Sequence, residues 1–142
     1  MVDYSIKKYD KLGRIIFYYE CMFKTSYQYE YFENERTITA INNRNRSNFK
    51  TITKEIKIKE SYIKKERVEY GDQFTIKTDY NNKGKERTVS KKSKKTQNII
   101  NIYSFWNKEN KKILWFEEWE KKITLGFLVT YNNIKKFKKK LK

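Results

Sequence analysis

Residues 123–131 read ITLGFLVTY, and they settle the kind of backbone this chain builds. Ile123, Leu125, Phe127, Val129 and Tyr131 occupy one side of the alternation, with Thr124, Gly126 and Thr130 opposite. A period of two carried by β-branched and aromatic side chains is the mark of a strand with one face turned from water.

Working outward, QFTIKTDY (73–80) puts Phe74, Ile76 and Tyr80 together, NNKGK (81–85) supplies a turn, and ERTVS (86–90) returns. Asn and Gly tolerate the positive φ of a tight loop, so this is a hairpin. TITKEIKIKESY (51–62) alternates as well, with Ile52, Ile56, Ile58 and Tyr62 on one side. Ile15–Tyr19, within GRIIFYYECMF, is apolar on both sides and suits a central strand. TSYQYEYF (25–32) sets Tyr27, Tyr29 and Tyr31 in register, RTITAI (36–41) follows, and IINIYSFW (99–106) is one more strand. KILWFEEW (112–119) fits two patterns. Trp115 and Trp119 lie four apart, as on a helix, yet Trp115, Glu117 and Trp119 also alternate. No repeat of useful length stands out.

Seven or eight short strands joined by polar loops predict a mainly β fold, an antiparallel sandwich or partly open barrel. One or two short helices are expected over 60–70 and 132–142, with α+β as the alternative. The chain divides into a single globular domain, 1–134, and a basic C-terminal tail, 135–142. At 142 residues it is long enough to bury a genuine core. Aromatics are 17% of the residues, so large rings carry that burial.

The chain holds 34 Lys+Arg against 17 Asp+Glu, a net charge of +17. Such an excess favours nucleic acid, an anionic membrane surface or an acidic protein as partner. Codon usage is the rival account: Phe, Tyr, Met, Ile, Asn and Lys together make up 80 of the 142 residues, as an AT-rich genome writes them. Both accounts of the lysines stand, and both fit an AT-rich bacterium or its phage. Nothing in the sequence has the apolar length of a signal peptide or a membrane span, which predicts a cytoplasmic protein. Cys21, the sole cysteine, lies in an apolar stretch and reads as a free structural thiol.

Histidine is absent, which removes the commonest general base and the commonest zinc ligand. No Ser-His-Asp or Cys-His arrangement and no Gly-rich phosphate loop can be built. Carboxylate chemistry with a divalent metal is what remains. Glu55-Ile56-Lys57 and Glu120-Lys121-Lys122 are its only local hints, and both suit solvated strands. The expectation is therefore a non-enzyme with no cofactor and no metal.

Two segments concentrate the charge. One holds Lys83, Lys85, Arg87, Lys91, Lys92, Lys94 and Lys95 against the single acid Glu86. The other is the tail, with Lys135, Lys136, Lys138, Lys139 and Lys140. Lysines that neutralise phosphates beside rings that stack on bases are the recipe for single-stranded nucleic acid, RNA or DNA, bound with little sequence specificity. Tyr27, Tyr29 and Tyr31 are the stacking candidates. A second reading is a phage-encoded inhibitor of a nucleic-acid-processing enzyme, anchored by Trp115, Phe116 and Trp119. A virion or assembly component is the third.

Overall fold

The computed structural model describes residues 4–42, 49–119, 122–130 and 133–137. Over them the backbone forms strands and turns, with no helix. The strands are β1 (Ser5–Tyr9), β2 (Ile15–Glu20), β3 (Thr25–Phe32), β4 (Glu35–Asn42), β5 (Phe49–Ile58) and β6 (Ser61–Tyr70). They continue as β7 (Phe74–Tyr80), β8 (Glu86–Ser93), β9 (Ile99–Trp106), β10 (Lys112–Trp119), β11 (Lys122–Thr130) and β12 (Asn133–Phe137). All twelve join one antiparallel sheet whose spatial order is their sequence order. Each strand hydrogen-bonds only to its neighbours in the chain, so the sheet is a single open meander.

Turn chemistry dictates that path. Three connections at one end of the sheet share a five-residue form: Asp10–Arg14, Asn81–Lys85 and Asn107–Lys111. In each, the first residue's side-chain oxygen accepts backbone N–H bonds from the third and fifth residues, at 2.9–3.0 Å. The fourth residue, Gly13, Gly84 or Asn110, takes positive φ. This is the Asx device, in which an Asp or Asn side chain stands in for backbone and caps the loop. The repeated pattern Asp/Asn-x-x-Gly/Asn-Arg/Lys is thus a true internal repeat, one that the sequence reading missed. The hairpin expected at 73–90 forms as β7–β8 about the second copy.

Alternation sorts the side chains onto two faces, here called front and back. The cross-strand row Tyr29–Ile38–Thr53–Arg67–Thr78–Val89–Ile102–Glu117 lies on the front. The row Phe17–Gln28–Thr39–Ile52–Val68–Lys77–Ser90–Asn101–Glu118 lies on the back. Edge strand β1 sets Lys7 over the Tyr18 ring on the front and Lys8 over Phe17 on the back, each at 5.5 Å. Charged edge residues of this kind discourage pairing with a foreign strand.

Three expectations are corrected. The segment 60–70 is β6, because Lys59 at φ 58° begins a two-residue turn that sends the chain back along β5. That turn also ends the alternation read across 51–62. Tyr62 pairs with Lys57 and shares the front with Glu55, not the side of Ile56 and Ile58. Within 132–142 the described residues, Asn133–Phe137, are a strand paired with β11 and not a helix; the rest of that segment lies outside the described residues.

The sheet also does not fold over on itself into a sandwich, and no core results. Among the described residues no hydrophobic side chain is buried, whereas the polar Thr25, Glu55, Thr78 and Ser104 are, at 6–9% exposure. A single layer has nothing to press against, so every ring keeps one side toward solvent.

Candidate functional site

The front face carries three adjoining clefts. The first, of about 480 Å³, lies among Tyr27, Tyr29, Ala40, Phe49, Thr51, Thr53 and Arg67. The second, of about 570 Å³, shares Phe49, Thr51 and Arg67 with it and adds Phe74, Ile76 and Lys91. The third, of about 400 Å³, shares Phe74 and Lys91 and ends at Ile100 and Trp119. Together they make a trough that crosses the strands from β3 to β10, roughly 34 Å at the usual spacing between strands. Small side chains at Ala40, Thr51 and Thr53 form its floor where β4 meets β5. The rings of Tyr27, Tyr29 and Phe49 stand up around them, and this contrast of size makes the groove.

Two of the trough's acids, Glu55 and Glu69, are engaged by arginines. Glu55 accepts a hydrogen bond from Arg36 Nε at 2.6 Å, and Arg36 lies 3.8 Å from the Tyr62 ring centroid and 5.9 Å from that of Tyr29. Glu69 holds Arg67 Nη2 at 2.7 Å, while Arg67 Nε is buried with no partner. Lys91 Nζ rests 4.1 Å from the Phe74 ring centroid, a cation held above an aromatic face. Burial pushes the Tyr29 and Tyr80 phenols above their ordinary value, against the pull of Arg36 and Arg67 respectively. Both phenols therefore stay neutral at physiological pH and keep their hydroxyl protons.

Tyr27, Tyr29 and Tyr31 share the front of β3 and are half-buried. Tyr27 stacks on Tyr18 with ring centroids 5.7 Å apart, and Tyr31 donates its hydroxyl to the Ile15 carbonyl at 2.7 Å beneath Arg14. Tyr27 and Tyr29 line the trough; Tyr31 is tied to β2.

The basic segment 83–95 spreads along the whole of β8. Lys83 and Lys85 belong to the turn at one end, where Lys83 donates to the Lys108 carbonyl and Lys85 sits over Trp106. Lys94 and Lys95 are exposed in the turn at the other end. Between them Arg87 and Lys92 are exposed, Lys92 on the back and Lys91 on the front. Only Lys91 meets the tyrosines' groove, for β3 and β8 are five strands apart, roughly 24 Å. The neighbouring β9 carries no charged residue.

Lys135 and Lys136 pair through their backbone with Leu128 and Phe127 in the last hairpin. Lys138, Lys139 and Lys140 lie outside the described residues, as do Glu120 and Lys121. The three aromatic anchors divide between faces. Trp115 and Trp119 are on the front, where Trp119 closes the third cleft, and Phe116 is on the back against Tyr103 and Phe105.

Of the two candidate acid–lysine triplets, Glu55-Ile56-Lys57 has its carboxylate committed to Arg36. Among the described residues no group of three or more Cys, Asp or Glu gathers as a metal cage would require. Nor is any helix there long and apolar enough to cross a membrane.

Phe49, Arg67 and Phe74 line the trough, and Arg36 stands beside it on Glu55; sequence reasoning named none of the four as a site residue. Their signal is cross-strand register, which a single sequence does not display. No known protein family, curated protein or solved structure matches the chain.

Proposed function

We propose that this chain is a non-enzymatic binding module for single-stranded nucleic acid, held with little sequence preference along the front trough and the exposed bases of β8. The observation that carries this reading is the continuity of the three clefts through Phe49, Arg67, Phe74 and Lys91. A groove that alternates rings with cations suits a polymer that alternates bases with phosphates. Stacking on one ring is worth about 1–3 kcal/mol and tolerates any base, since every base has a π-face. A duplex lacks free base faces, so single strands are preferred.

Fluorescence anisotropy with single-stranded RNA, single-stranded DNA and duplex DNA at graded salt tests the proposal. Expected is a linear fall of log affinity with log salt, at about 0.7 per neutralised phosphate for single strands. Phe74→Ala is expected to weaken binding about 5- to 150-fold, the equivalent of one lost stack. Absence of binding at about 50 mM salt, or a preference for duplex, overturns the reading.

A further inference from the structure

The surface of the chain is too large for its mass. A folded monomer of 17.6 kDa exposes about 7,900 Å² by the usual scaling, whereas this chain exposes 11317 Å². The excess, roughly 3,400 Å², is what a second layer of structure would cover. Covering a third of it on each of two copies buries more than about 2,000 Å² in total, the range of obligate homodimers.

Charge selects the place. A chain of +17 repels its own copy wherever lysines stand. On the back face, Phe17 lies under Lys8, and the isoleucines 56, 58 and 63 adjoin Lys64 and Lys65. The back of β9–β10 is different. Tyr103 and Phe116 pack with centroids 5.0 Å apart, Phe105 lies 6.0 Å from Phe116, and Ile99 and Phe105 are each 46% exposed. β9 has no charge of its own, and its Asn101 is bonded to Ser90 at 2.6 Å. The charges on that face nearest the patch, Lys92 on β8 and Glu118 on β10, are of opposite sign and can pair across a two-fold, with Lys77 one strand further out on β7.

We propose that two copies of the chain pack back to back through the β9–β10 aromatic patch, centred on Tyr103, Phe105 and Phe116. The resulting pair is a two-layer sandwich assembled from two chains, with its sheets about 10 Å apart and both troughs facing outward. This inference does not depend on what the trough binds.

Sedimentation equilibrium of the nuclease-treated full chain, at tens of micromolar, tests it. The expected mass is about 35 kDa, twice the 17.6 kDa of one chain. Phe105→Glu is expected to halve the mass while leaving the far-ultraviolet circular dichroism unchanged. Should that variant fail to fold, the Phe105→Cys chain in a Cys21→Ser background still decides: oxidation is expected to link two copies covalently. A monomer throughout, a dimer that survives Phe105→Glu, or no covalent link from the cysteine chain overturns the proposal. So does a patch that is occupied only by a different protein from a lysate.

Discussion

Strands β3–β6 and strands β8–β9 lie in the same sheet and use charge in opposite ways. In β3–β6 three of the cations answer acids across or along the strands: Arg36 holds Glu55, Arg67 holds Glu69, and Lys65 reaches Glu35 at 3.1 Å. In β8 and its turns the seven bases make no ion pair among the described residues, and β9 offers them no acid. The first region uses part of its charge to tie β4 to β5 and β6. The second leaves its bases unmatched by acids. Local charge balance separates them too: eight bases against seven acids over 25–42 and 49–70, but seven against one over 83–106.

The sharpest way to break this comparison is to reverse charge in both regions. Glutamate at Arg87, Lys91, Lys94 and Lys95 is expected to cut single-strand affinity by more than about 100-fold at low salt and to flatten the salt slope. The same reversal at Lys50, Lys54, Lys57 and Lys65 is expected to cost about tenfold, through long-range field alone. Equal losses in the two sets would erase the distinction.

Stability should show the converse. Glu55→Ala leaves the part-buried Arg36 without its carboxylate and is expected to destabilise by about 1–3 kcal/mol in urea unfolding. Glu35→Ala breaks a pair whose side chains are more than half-exposed at Lys65 and half-exposed at Glu35, so about 0–1 kcal/mol is expected. Between the two lies Asn81→Ala, which removes the side-chain acceptor of an Asx turn and is expected to cost about 1 kcal/mol, as loss of a helix cap does.

The smallest effect belongs to pH. The Arg14 backbone N–H, then its guanidinium and the Leu12 N–H, hold the Asp10 carboxyl below the usual carboxylate value. A depressed folded value means that the contribution is present above the unfolded carboxylate range, near pH 4, and is lost as pH falls through the folded value. Asp10→Asn keeps the turn's acceptor and is expected to abolish that acid-side slope in melting temperature. An unchanged slope would place its origin elsewhere.

Much of the strand content was legible because period-two patterning is local. The β7–β8 hairpin, β9 and β11 follow directly from residues 73–90, 99–106 and 123–131. The number of layers was not legible, since alternation reports that two faces differ but never what covers them. Residues 60–70 misled because Glu, Lys and Arg favour helices, and pairing with β5 overrides that preference. At the site, Tyr27 and Tyr29 were found by register within one strand. Arg67 in the trough and Arg36 beside it were not, because only pairing across β4–β6 brings them there. The turn repeat was present in plain sight, but three copies at unequal intervals do not register as a period.

One feature of the meander reaches beyond this chain's present length. Since spatial order and sequence order coincide, excising or duplicating one hairpin within a gene breaks no pairing between the strands that remain. Each such event would lengthen or shorten the groove by two strand spacings, roughly 10 Å, while its cross-section stayed the same. Recombination can therefore set the reach of the groove independently of its lining.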